Sequence, residues 1–265
     1  EGNLLTDDNM WAKTHGTPRL VDVTNEMGIH PTRNFTKGVS EGRQNLNADA
    51  IDDVKIGDRS CASCPMGCGK FTSINGTKVE GPEYETLCLG GSNCEINDLE
   101  TVMKFNRLCD DYGLDTMSTG NIIGLAMDIT ESKLHDYGIK FGDTKEFLTL
   151  IEEIATGSTS RGKDLALGAQ KLAEKHNAQD KAAHSKNLEM PAYDPRGNYG
   201  MALGYATSER GACHLRSFTL FEEEPFKVKE MTRAVMDNQN LNAVKFSMGL
   251  CDFWGTVDTG IMADF

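Results

Sequence analysis

A chain of 265 residues with 38% hydrophobic side chains can build a sizeable core, either as one large domain or as two of ordinary size. No run of about 18 apolar residues occurs, which excludes a transmembrane helix, and Glu1-Gly-Asn-Leu-Leu5 lacks the charged flank and apolar core of a signal peptide. A net charge of -13 excludes phosphate-backbone binding as the main task, because such binding needs clustered Lys and Arg, so no nucleic-acid partner is expected. The eight cysteines are dilute and unevenly clustered, which favours a reducing cytoplasm over a secreted disulfide scaffold. The chain does not begin with Met, so a fragment or a processed form is expected.

Along the chain, helical segments alternate with glycine-rich loops, without repeats or low-complexity tracts. Strand signals are few, the best being Arg19 to Val23 and Lys70 to Val79. Asn97-Asp98-Leu99-Glu100 reads as a capping box ahead of apolar Leu99, Val102, Met103, Phe105 and Leu108, with Gly113 as the stop. A second helix is expected from near Thr119, carrying Ile122, Ile123, Leu125, Ala126 and Ile129, after a hydroxyl-rich loop that begins at Asp115. Lys145 to Ala155 puts Phe147, Leu148, Ile151 and Ile154 on one face and ends at Gly157, and Gly162 to His176 repeats the habit. Lys227 to Asn238 adds a further helix leading into the loop that carries Cys251. A mainly α fold follows.

The chemistry-bearing pattern is Cys61-Ala-Ser-Cys64-Pro-Met-Gly-Cys68, with Cys251 far downstream in Met-Gly-Leu-Cys. A C-x2-C-x3-C triplet plus one remote thiolate suits a [4Fe–4S] cluster, because thiolates are its usual ligands and a tight loop can present three to one cube. Two readings compete. Structural zinc takes four cysteines, usually from two C-x2-4-C pairs, and here the second pair is missing. Unligated buried cysteines are common in cores, yet a segment broken by Pro65, Gly67 and Gly69 is a poor core segment.

Cys61-x2-Cys64-x3-Cys68, Glu80-Gly-Pro-Glu-Tyr-Glu-Thr86, Gly91-Ser-Asn-Cys94 and Asp110-x2-Gly-Leu-Asp-Thr-Met-Ser-Thr-Gly120 resemble the tungsten-containing aldehyde:ferredoxin oxidoreductase family. So do Pro191-Ala-Tyr-Asp-Pro-Arg-Gly197, Ala206-Thr-Ser-Glu-Arg-Gly-Ala-Cys-His-Leu-Arg216 and Met248-Gly-Leu-Cys251, in family order from about Gly16 to Cys251. The resemblance implies tungsten, or molybdenum, held by two molybdopterin dithiolenes beside a [4Fe–4S] cluster. It implies two helical domains enclosing that site: 1–190, with the cysteine triplet and the first pterin loop, and 191–265, with His214 and the second pterin loop. The family's amino-terminal β-rich domain has no counterpart in this sequence.

By the same resemblance, Cys61, Cys64, Cys68 and Cys251 are the cluster ligands, and Asp110, Gly113, Leu114 and Asp115 form the first pterin loop. Pterin rings are rich in N–H donors, which suits carboxylate acceptors and close-approaching glycine backbone; turn and helix-end chemistry is the competing role for Asp110 and Asp115. Gly249 and Leu250 belong to the second loop, whose family pattern begins with aspartate where this sequence has Phe246. Arg210 and Arg216 fall at basic positions that would meet pterin or phosphate oxygens. Glu85 and His214 match the catalytic pair, although Glu80, Glu83 and Glu85 share one acidic loop and a shift of alignment changes the choice.

The function implied is oxidation of an aldehyde to a carboxylic acid, with electrons leaving through the cluster to ferredoxin or to a dedicated electron-transfer subunit. Two alternatives stand beside it. One is a benzoyl-CoA-reductase-like tungsten subunit acting on an aromatic acyl-CoA; the other is a non-catalytic iron–sulfur subunit. Some family dimers are bridged by a metal on glutamate and histidine. Lys104 falls near that glutamate position, so no such bridge is expected, while a homo-oligomer of another kind stays open.

Overall fold

The structure, a computed structural model, describes residues 10–254. Helix α1 (Met10–Thr14) leads through a 3-10 turn at Thr17–Arg19 into α2 (Leu20–Glu26). The strand expected over Arg19 to Val23 is therefore helical. Pro18 sits in the turn that starts it, where a fixed φ suits a helical entry, and Leu20, Val21 and Thr24 bury one helical face.

Helix α3 (Ala48–Val54), capped by the Asn47 side chain, runs directly into β1 (Lys55–Arg59). Strands β2 (Gly69–Ile74) and β3 (Thr77–Glu80) complete an antiparallel sheet in the order β1-β2-β3. The extended run expected over Lys70 to Val79 is thus a hairpin. It turns at Asn75-Gly76, both with positive φ (48° and 80°), as a two-residue hairpin turn requires.

Helices α4 (Tyr84–Leu89) and α5 (Leu99–Tyr112) follow. Gly113 ends α5 at φ 69°, as the sequence predicts, whereas the cap is Asp98, which accepts from Thr101 N one residue beyond the Asn97 start that a capping box over Asn97–Glu100 requires. Helix α6 (Thr116–Glu131) starts earlier than expected, because Asp115 accepts from Ser118 N and makes the hydroxyl-rich segment its first turn. Every residue from Thr119 to Ile129 is buried, so α6 is a central helix without a solvent face. Gly120 and Gly124 let its neighbours approach: a Cβ on Gly120 would lie 2.6 Å from the Leu89 carbonyl, and one on Gly124 2.9 Å from Asn93 Nδ2.

Helix α7 (Thr144–Thr156) ends at left-handed Gly157, as expected, and starts at a cap the sequence does not single out, Asp143, which accepts from Glu146 N. The single helix expected over Gly162 to His176 is two, α8 (Ser160–Leu165) and α9 (Ala169–His176), separated at Gly168 with φ 87°. Glu189 Oε1 accepts from Ala169 N at the start of α9, and Glu189 lies in a small hairpin of β4 (His184–Ser185) and β5 (Leu188–Glu189). Helices α10 (Tyr199–Thr207) and α11 (Val228–Ser247) pack together, α11 running well past the expected end at Asn238. The described residues are mainly helical with two small sheets, and a cluster of buried apolar side chains extends from Leu20 to Leu220. Among the described residues no helix is long and apolar enough to cross a membrane.

Candidate functional site

The cysteine triplet occupies the loop joining β1 to β2. Arg59 pairs with Gly69 at the loop's base, so the whole segment projects from one end of the sheet. Ser63 (φ 60°) and Gly67 (φ 58°) turn it back on itself, and Cys64 N donates to Cys61 O at 3.1 Å. Gly16 lies against the loop's far end: a Cβ there would sit 2.4 Å from the Cys68 carbonyl, and its φ is 67°. Buried Lys70 donates to the carbonyls of Lys13 (2.9 Å) and Gly67 (3.0 Å), tying the loop to α1. Trp11 of α1 also meets Phe253, with ring centroids 6.0 Å apart, which brings the segment after Cys251 to the same helix.

Burial pushes the Cys68 thiol above its ordinary range, and Glu83, Cys251 and Cys64 add to the shift through charge repulsion. Cys251 is thus within electrostatic reach of Cys68 despite its distance along the chain. All eight cysteines are free thiols. Among the described residues no three His, Cys, Asp or Glu side chains converge at the spacing of a single bound ion. A four-iron cube takes one thiolate per iron and spreads its ligand sulfurs more widely, and a soft, all-thiol donor set of four cysteines fits such a group.

Beside this loop opens a cleft of about 350 Å³, lined by Glu80, Glu83, Glu85, Asp110, Leu114 and Asp115 among others. The fold therefore brings Glu85 together with Asp110, Leu114 and Asp115. Thr17 donates to Glu83 and accepts from Tyr84 N, which fixes the first turn of α4. The Tyr84 hydroxyl donates to Ala192 O, and Ala192 N donates to Glu85 Oε2 at 2.7 Å. Glu85 Oε1 is buried and has no partner.

That orphaned oxygen lies 3.6 Å from His214 Nε2. Burial raises the Glu85 carboxyl to about 8, opposed by the Ala192 hydrogen bond and assisted by Asp115. Burial also lowers His214 to about 4, with Arg210 contributing. Both groups are predominantly uncharged near neutrality, and environments that drive two titratable groups apart mark acid–base sites. Tyr193, which the sequence does not single out although it lies within the Pro191–Gly197 motif, has its ring centroid 5.5 Å from that of His214 and 5.2 Å from that of Tyr84, tilted against both. Its aromatic side chain inside that motif is the signal that marks it.

The two Gly-Leu turns are the same device. Leu114 N donates to Cys109 O (2.8 Å) and Gly113 N to Asp110 O (3.3 Å); Leu250 N donates to Lys245 O (2.9 Å) and Gly249 N to Phe246 O (3.1 Å). Both glycines have φ 69°, and each pair closes a helix C-terminus in the Schellman manner. Asp110 thus corresponds to Phe246, and Asp115 to Cys251. Asp110 and Asp115 are exposed, and Asp115 spends one oxygen on capping α6. Phe246 lies under the Arg216 guanidinium, 5.1 Å from ring centroid to carbon, while Arg216 Nε pairs with Glu209 at 2.9 Å. Arg210 is exposed.

Residues 3–265 match the family model described as aldehyde ferredoxin oxidoreductase, domains 2 and 3. The tungsten-containing aldehyde ferredoxin oxidoreductase of Thermococcus kodakarensis is 37% identical over 257 residues, covering 90% of this chain and 42% of that protein. A Pyrococcus furiosus protein of the same name is 35% identical with the same coverage. The aliphatic sulfonate oxidoreductase WOR-like subunit of Pyrococcus furiosus is 29% identical over 175 residues, covering 59% of this chain and 28% of that protein. The chain thus spans about two fifths of the length of these two aldehyde ferredoxin oxidoreductases. Among solved structures, the active site complex BamBC of benzoyl coenzyme A reductase with 1,5 dienoyl-CoA superposes with a TM-score of 0.60 at 20% identity, covering 84% of this chain and 36% of that one, a likeness of fold alone. The chain belongs to the aldehyde ferredoxin oxidoreductase family, in the part that comprises domains 2 and 3.

Proposed function

We propose that this chain carries the acid–base and cluster-binding half of a tungsten-dependent oxidoreductase that converts an aldehyde to a carboxylic acid. The observation that carries the reading is the approach of Glu85 Oε1 to His214 Nε2 at 3.6 Å, with their proton affinities displaced in opposite directions. When bound, a tungsten or molybdenum bis-molybdopterin centre supplies the oxidant for the aldehyde, and a [4Fe–4S] cluster supplies the one-electron outlet.

Cys61, Cys64, Cys68 and Cys251 hold the cluster. Asp110 and Asp115 accept pterin N–H groups at the mouth of the cleft, where Gly113 and Leu114 offer close backbone approach. Arg210, Arg216 and the Gly249-Leu250 turn take the second pterin side. Neutral His214 donates from its ring N–H to the aldehyde oxygen, making the carbonyl carbon more electrophilic. Glu85, in its carboxylate form, accepts the proton of the water that adds to that carbon. Its unpartnered oxygen supports this role, since a buried acceptor without a partner is held at a cost in stability. Electrons leave to ferredoxin or to a dedicated electron-transfer subunit.

Dye-coupled oxidation of aldehydes by the natively isolated protein tests the reading, with oxidation of a cyclic dienoyl-CoA thioester run in parallel. Dye reduction with aldehyde and none with thioester is expected. Activity on the thioester alone assigns the chain to the acyl-CoA branch instead.

A further inference from the structure

Lys245 is 4% exposed, at the last turn of α11. A buried ammonium is costly unless all three of its protons are placed. Here they are: Nζ donates to Asp252 Oδ1 at 2.7 Å, to Asp252 O at 3.3 Å and to Asn242 Oδ1 at 3.1 Å. Asn242 is buried as well, and its Nδ2 donates to Leu215 O at 2.9 Å, the carbonyl next to His214. One buried cation therefore ties the residue after Cys251 to the backbone beside His214. At the equivalent place in the first Gly-Leu turn stands buried Cys109, with no charge to place.

We propose that Lys245 and Asn242 are positioning residues that clamp the Cys251 thiolate at the cluster, using the His214 segment as the fixed point. The Schellman turn alone sets the backbone direction, but Cys251 is exposed and follows it by only one residue. The ammonium holds that loop from the other side, on both the carbonyl and the carboxylate of Asp252. The inference rests on Cys251 as the fourth thiolate.

The test compares Lys245→Met, Asn242→Ala, Asp252→Ala and Asp252→Asn with the parent protein, all purified anaerobically. Readouts are iron per chain, the rate of iron loss to a chelator, and the electron paramagnetic resonance spectrum of the reduced protein. Lys245→Met, Asn242→Ala and Asp252→Ala are expected to speed iron loss about tenfold or more and to alter the spectrum, as loss of outer-shell support does at metal sites. Asp252→Asn keeps an acceptor oxygen and is expected to restore parental behaviour. Gly120→Ala, which disturbs packing away from the clamp, is expected to lower the melting temperature without altering the spectrum. Should Lys245→Met fail to fold, the Asp252 pair carries the test, because that side chain is 30% exposed. Parental iron loss and spectra in both Asn242→Ala and Asp252→Ala overturn the clamp. If Cys251→Ser itself keeps parental iron and spectrum, the assignment of Cys251 falls and the clamp falls with it.

Discussion

Glu85 Oε1 faces His214 Nε2 across 3.6 Å, slightly beyond hydrogen-bond reach, and has no other partner. The two side chains come from the first turn of α4 and from the loop after α10, so only the folded chain brings them together. Their separation leaves each free to engage a reactant.

A base that titrates at about 8 is mostly protonated at neutrality. The value of kcat/KM for aldehyde oxidation is therefore expected to rise about tenfold per pH unit below that point and to level above it. Glu85→Gln should lower kcat by about 100-fold or more and abolish that limb. A flat profile in the parent protein would remove Glu85 as the base.

The same shift has a consequence for stability. The folded state holds the Glu85 proton more tightly than the unfolded chain, so its contribution is fully present below about 4.5 and is lost as pH rises towards about 8. The melting temperature of Glu85→Gln should decline less over that window than that of the parent. Parallel declines would show that the carboxyl is not buried as described.

His214→Asn is expected to reduce kcat by about 100-fold, the loss of one aligned donor to the developing oxyanion. Iron content and visible absorbance should be unchanged, since His214 lies outside the cysteine loop. Unchanged turnover would take His214 out of the reaction.

Gly120→Ala sets two effects against each other. Alanine is the better helix former by about 1 kcal/mol, but its Cβ would meet the Leu89 backbone at 2.6 Å, where neither partner is a flexible side-chain end. Overpacking of this kind costs about 1–3 kcal/mol, so a net destabilisation is expected in thermal melts. A rise in melting temperature would mean that α4 can move away from α6.

Much of the helical framework is legible because its signals are local. Gly113 and Gly157 mark the ends of α5 and α7, and the Asn97–Glu100 run marks the start of α5 to within one residue. The failures are equally local in cause. Leu20-Val-Asp-Val23 is rich in the branched apolar residues of strands, and the Pro18 turn with burial of Leu20, Val21 and Thr24 makes it a helix. Asp115 reads as a loop residue until its hydrogen bond to Ser118 N starts α6. At the site, motifs single out Glu85, His214 and the four cysteines as residue types. What they leave out is the environment. The Ala192 N–H on Glu85, the placement of Tyr193 against His214 and the Lys245 contacts all depend on packing between distant segments. Phe246 reads as a lost carboxylate, and the structure gives it a different task, carrying the Arg216 guanidinium.

Metal analysis of the natively isolated protein, paired with its Cys251→Ser variant, tests the central claim most directly. About four iron atoms per chain are expected, together with stoichiometric tungsten or molybdenum, and the variant should lose iron and the reduced-cluster signal. Iron without either heavier metal, zinc in place of iron, or a variant that keeps the parental iron and signal would contradict it.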